Sequence, residues 1–129
     1  MANAVRAAVE TYLRAWNERD PAARAALIEA CFAADGRLVT RAGEVRGRAA
    51  LAEMMARVHA DPRRFRIRLT SAIDTGATTF RVLAVADYSD DTTSPETLDV
   101  GEIDADGRIK QVLTFTGPIG EPDTTPPAG

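Results

Sequence analysis

Residues Tyr12 to Gly36 read YLRAWNERDPAARAALIEACFAADG, and the way this stretch divides decides the fold. Going back from it, Val5, Val9, Tyr12, Leu13 and Trp16 recur at the spacing of one face of a helix that should end near Asn17. Asp20 followed by Pro21 pairs a side chain that caps free amide groups with a residue suited to a first helical turn, so a second helix starts there. Its apolar face carries Leu27, Ile28, Cys31 and Phe32, and Asp35-Gly36 is expected to stop it. Going forward, Leu38 and Val39 suggest a short strand. Gly47 then precedes a third helix bearing Leu51, Met54, Met55, Val58 and His59 on one side, closed by Asp61-Pro62.

From Phe65 onward the apolar period changes from 3.6 to 2, with turn signals at Asp74-Thr75-Gly76, Ser89 to Pro95 and Asp106-Gly107. Four strands joined by hairpins follow. Helices first and strands after them predict an α+β fold, with three N-terminal helices packed on one face of a strongly curved antiparallel or mixed sheet. Phe80 to Tyr88 is apolar on both faces, and Leu83, Val85, Leu98, Val100, Leu113 and Phe115 extend its second apolar surface across neighbouring strands. Helices can cover only one face, so a second copy of the chain should cover the other, giving a homodimer. Residues 1–117 are expected to form a single domain, and residues 118–129, ending in EPDTTPPAG, a disordered tail.

Composition narrows the function classes. The 129 residues are 45% hydrophobic and 27% charged, with a net charge of −3. That balance fits a globular protein and argues against a nucleic-acid partner. The basic run RRFRIR, Arg63 to Arg68, alternates Arg64, Arg66 and Arg68 against Phe65 and Ile67, as a solvated strand face does. No apolar run has the length of a membrane span and no signal-peptide core is visible, so no membrane partner and a cytoplasmic location are expected. Cys31 is the single cysteine and His59 the single histidine. No metal site is expected from such a set, and Cys31 reads as packing.

The order of elements and the pattern Tyr12, Ala15-Trp16-Asn17, Asp20, with Gly47-Arg48 followed by Leu51, resemble the nuclear transport factor 2-like superfamily, in particular its SnoaL-like polyketide cyclase branch. The resemblance covers about residues 4 to 117. It implies a cone whose concave sheet face and three helices enclose one apolar pocket. Taken by alternation alone, TLDVGEI (Thr97–Ile103) would send Leu98 and Val100 to the core and Asp99 to water. Similarity to the ketosteroid isomerases reverses this. Tyr12 falls where their oxyanion-donating tyrosine stands, and counting back from Gly107-Arg108-Ile109 places Asp99 on their inward carboxylic acid.

The pocket implied by that resemblance is lined by Trp16, Phe32, Thr40, Met55, His59, Phe65, Ile67, Phe80, Val82, Gly101, Val112, Thr114 and Thr116, with Asp99 and Tyr12 as catalytic groups. Thr40 occupies the position of the isomerase general base and cannot replace it. What remains implies a cofactor-independent acid/base enzyme of cyclase or isomerase type, acting on an apolar carbonyl compound such as a polyketide or polycycle. The alternative is a non-catalytic module of the same fold that holds an apolar ligand, or serves dimerisation, with Asp99 bonded to Tyr12 or to a threonine such as Thr114.

Overall fold

The computed structural model describes residues 2–122. Three helices, α1 (Ala2–Asn17), α2 (Pro21–Cys31) and α3 (Arg48–His59), pack on seven strands: β1 (Phe32–Thr40), β2 (Gly43–Arg46), β3 (Phe65–Leu69), β4 (Asp74–Thr75), β5 (Thr79–Tyr88), β6 (Thr97–Ile103) and β7 (Ile109–Thr116). The strands form one curved, open, mixed sheet in the order β2-β1-β7-β6-β5-β3, with β4 beside β5. All pairs are antiparallel except β1 with β7. The expected tail mostly lies outside the described residues. Residues 118–122 have no regular secondary structure.

The helix boundaries follow their local chemistry. Asp20 Oδ2 accepts the Ala23 amide at 2.9 Å, and Pro21 opens α2. Arg24, buried at the start of α2, donates to the Glu18 and Arg19 carbonyls just beyond α1 at 2.9 and 3.2 Å, satisfying acceptors that would otherwise be stranded. Gly47 precedes α3 with φ +90, a backbone conformation that disfavours side chains with a Cβ. Its amide bonds the Gly36 carbonyl at 2.8 Å. Arg48 Nε then donates to the Phe32 carbonyl at 2.7 Å and ties α3 to the α2–β1 junction.

Two expectations change here. Helix α2 ends at Cys31 instead of Asp35-Gly36, because Phe32 already has extended backbone (φ −120, ψ 130) and begins β1. The register of β1 against β7 shifts between Phe32 and Arg37, and at that irregularity the Phe32 ring lies against Gly36, where a Cβ would come within 2.7 Å of it. The short strand expected around Leu38 is therefore nine residues long and turns back as a hairpin into β2, a strand with no counterpart in the sequence reading.

Helix α1 contributes Val5, Val9 and Tyr12 to the core, α2 contributes Ile28 and Cys31, and α3 contributes Leu51 and Met55. The concave sheet face meets them with Leu38, Phe80, Val82, Ile103, Ile109 and Val112. Burial of this kind contributes roughly 25 cal/mol per Å² of apolar surface removed from water. Cys31 is buried in this layer, and loss of hydration pushes its thiol up to about 12, which suits packing and not nucleophilic attack.

Candidate active site around Asp99

Strand pairing determines where Asp99 points. It lies opposite Val82 on β5 and Thr114 on β7, and a strand sends directly opposed residues to the same face. Val82 belongs to the core under α1, so Asp99 faces inward with it, while Leu98 and Val100 turn to the outer face. The Thr114 hydroxyl donates to Asp99 Oδ1 at 2.6 Å. None of the ion pairs among the described residues involves Asp99. Burial raises its pKa above the ordinary aspartate value, and the Thr114 bond offsets this only in part.

Asp99 and Thr114 open onto a cavity of about 180 Å³ whose wall includes Tyr12, Trp16, Leu38, Thr40, Met54, Ile67 and Thr97. Tyr12 is buried, stacked on Phe32 with ring centroids 6.4 Å apart and edge-on to Trp16 at 6.3 Å. Burial and then the nearby Asp99 carboxylate push the Tyr12 phenol far up, so it keeps its proton and remains a donor. Thr40 stands at the cavity edge, its Oγ1 accepting the Ala42 amide at 3.1 Å in the β1–β2 turn.

Of the expected lining, Tyr12, Trp16, Thr40, Ile67, Asp99 and Thr114 meet at this cavity. The others sit elsewhere for identifiable reasons. Phe32 and Met55 are fully buried beneath the wall, and Met54, the next residue along α3, takes the lining position. Phe80, Val82 and Val112 are core, and Gly101 lies under the edge of the Phe80 ring. Thr116 is exposed at the outer end of β7, in a surface groove with Val39 and Ile119.

His59 and Phe65 pack with ring centroids 4.5 Å apart and planes tilted by 31°, outside the lining of the Asp99 cavity. The His59 Nε2 lies 2.8 Å from the Trp16 carbonyl, to which it donates, and Nδ1 is buried without a partner. Burial holds the imidazole below the ordinary histidine value. His59 therefore braces α3 against the end of α1. Leu38 and Met54 are wall residues absent from the expected set. Thr97, which the isomerase resemblance turns inward two residues before Asp99, does stand in the wall, and the helical spacing of α3 left Met54 and Met55 equally placed.

Among the described residues, no three His, Cys, Asp or Glu side chains gather in a way that could hold a metal ion, and no helix is long and apolar enough to cross a membrane. Arg64, Arg66 and Arg68 are exposed, with Arg68 paired to Asp87 at 2.8 Å, as the solvated-face reading required.

Three helices against a curved open sheet, with an acid on the concave face, define a cone of the nuclear transport factor 2-like kind. Residues 9–112 match the SnoaL-like domain family, and the chain belongs to that family. Among solved structures it is similar to a SnoaL-like family protein from Agrobacterium tumefaciens, provisionally assigned as an isomerase. That pair is 24% identical over 90% of this chain and 99% of the other, with a TM-score of 0.82. A ketosteroid isomerase-like fold from Catenulispora acidiphila, in complex with trimethylamine, is 19% identical over 85% of each chain, with a TM-score of 0.69. An epoxide hydrolase from M. tuberculosis is 17% identical over 89% of this chain and 84% of the other, with a TM-score of 0.69. At these identities the likeness is one of fold. The chain has no significant match among curated proteins.

Proposed function

We propose that the protein is a cofactor-independent acid/base enzyme of isomerase or cyclase type, acting on a small apolar carbonyl compound. The observation that carries this reading is Asp99: a half-buried carboxyl group with no cation paired to it, facing a cavity it shares with a tyrosine that stays protonated. Thr114 occupies Oδ1, which leaves Oδ2 for proton transfer. The ionised Asp99 takes a proton from the carbon beside the carbonyl. The C–H electron pair moves into an enolate, and the Tyr12 O–H donates to the oxygen where charge develops. Return of the proton to another carbon completes an isomerisation. Attack of the enolate carbon on a second carbonyl carbon of the same molecule closes a ring, the C=O π pair moving onto oxygen, which takes the proton back from Asp99.

Cavity size sharpens the substrate class. An apolar protein cavity of about 150 Å³ accommodates benzene, so about 180 Å³ corresponds to a single substituted ring. A polycycle exceeds it. With Thr40 at the position that the resemblance gives to the isomerases' base, and a chamber sized for one ring around Asp99, a β,γ-unsaturated 3-ketosteroid should show little or no isomerisation.

The apolar outer face supports a homodimer. Phe115 is 58% exposed, and Leu83, Leu98, Val100 and Leu113 are half-buried beside it, although Val85 is already buried within the single chain. Light scattering at micromolar concentration should give twice the chain mass. A monomer mass would rule the dimer out.

The test of the chemistry needs no natural substrate. Proton NMR of cyclohexanone in D2O reports exchange of the hydrogens beside its carbonyl. Wild-type protein should accelerate it, Asp99→Asn should lose about 100-fold or more of the acceleration, and Tyr12→Phe should lose less. The Thr114–Asp99 bond also favours a second reading, a ligand-binding module in which the threonine merely satisfies the acid. Binding of cyclohexanone without faster exchange would establish that reading.

A further inference from the structure

The cavity holding Asp99 has a neighbour of about 170 Å³, bounded by Val58, Phe65, Ala86, Tyr88 and Ser94. Trp16, Ile67 and Thr97 stand in both walls. Ile67 and Thr97 are strand residues fixed by the sheet, and the Thr97 hydroxyl reaches the Ala84 carbonyl at 3.4 Å. Trp16 is the large side chain among the three and is half-buried.

The backbone around Trp16 is held on two sides. His59 donates to the Trp16 carbonyl at 2.8 Å. The neighbouring Asn17 side chain accepts the Ile67 amide at 2.7 Å and donates to the Ile67 carbonyl at 3.1 Å, mimicking a strand partner at the end of a helix. The end of α1 therefore cannot withdraw from the sheet without breaking two hydrogen bonds, nor from α3 without breaking a third. Separation of the two chambers depends on the indole and not on helix movement.

We infer that Trp16 is the partition that sets the upper size of the substrate. With the indole in place the Asp99 chamber takes one ring. With it removed, the two chambers form a single space of about twice the volume, in keeping with a fused bicyclic ketone. Trp16 is thus a specificity-determining residue, an inference that rests on the reading of this cavity as the substrate site.

The experiment compares cyclohexanone with 2-decalone, binding being read by ligand-observed NMR titration on the full chain. Wild type should bind cyclohexanone, and bind 2-decalone at least about tenfold more weakly. Trp16→Leu should shift the ratio of the two affinities about tenfold toward 2-decalone, cyclohexanone weakening as it loses the indole wall. Adding Val58→Phe, which refills the second chamber from α3, should reverse most of that gain, an outcome that general loosening of the fold would not produce. If Trp16→Leu does not fold, Trp16→Phe keeps a ring against Tyr12 and should show the same shift at about threefold. An unchanged ratio of the two ketones in a folded variant overturns the partition and leaves the substrate-site reading standing. Failure of wild type to bind either ketone overturns both.

Discussion

Gly101 is placed so that one added methyl group measures how tightly the floor of the cone is built. A Cβ at this position would fall inside contact distance of the edge of the Phe80 ring and 2.8 Å from the backbone carbonyl of Gln111. Carbon atoms at rest are about 3.5–4.0 Å apart, so both neighbours would have to move. Phe80 is only 3% exposed, and Gln111 belongs to the β6–β7 ladder through its pairing with Glu102. Overpacking typically costs about 1–3 kcal/mol. With one of the obstructing groups in the backbone, Gly101→Ala should cost about 2–3 kcal/mol, or about 6–15 °C in Tm for a chain of this size. Circular dichroism melts of the single variants Gly101→Ala and Phe80→Leu, and of the double variant, form the assay. Leucine removes the ring edge, so the double variant should be more stable than the two single losses predict by about 1 kcal/mol or more. A Gly101→Ala loss below about 0.5 kcal/mol would refute the packing argument, because it would mean that the Phe80 ring does not rest on Gly101.

Two further predictions concern protonation. The folded-state pKa of Asp99 is raised by burial, so its contribution to stability is greatest at low pH and falls as pH rises from the ordinary aspartate value through the folded one. The stability of wild type minus that of Asp99→Asn, measured by urea unfolding across pH, should decline through that window and then level off; a difference that grows with pH would contradict a buried, cation-free acid. For His59 the shift is downward, so the stability linked to its neutral form is complete above the ordinary histidine value and is lost as pH falls through the folded one. His59→Ala should cost about 1–2 kcal/mol at neutral pH by stranding the Trp16 carbonyl and should flatten this acid limb, which NMR titration of the imidazole and melts at several pH values would check.

The parts of the fold that local chemistry specifies were legible in the sequence. Asp20-Pro21 gave the start of α2, Gly47 the start of α3, and the change of period at Phe65 the beginning of the meander. Strand β1 was not legible beyond Leu38 and Val39, because Ala33, Ala34, Asp35 and Gly36 have little strand propensity and lie in the irregularity between Phe32 and Arg37, the residues on either side that pair with β7 far along the chain. The inward turn of Asp99 could not come from alternation, which misassigned it; resemblance supplied the direction, and the pairing with Val82 and Thr114 gives its physical reason. Phe32, Met55 and His59 show the limit of the site reading. A position near a pocket in a related fold specifies the layer a residue occupies, while a one-residue offset on a helix decides whether it is lining or core.

The parallel pairing of β1 with β7 also bears on how the chain assembles. Arg37 and Gln111, adjacent across that pair and joined by hydrogen bonds of 3.2 and 3.0 Å, are 74 residues apart in sequence. Strands β5, β6 and β7 can zip as successive hairpins, whereas β1 and the β2 hairpin that hangs from it have no other strand to pair with until β7 exists. Closing so long a loop costs entropy before any contact repays it, so during refolding β1 should dock late, with α2 and α3 held by their contacts to one another and to α1 until then. Pulse-labelled hydrogen exchange would register this order as amides of β6 gaining protection ahead of those of β1. On a ribosome, the wall that carries Leu38 and Thr40 would have to wait for the last strand to emerge.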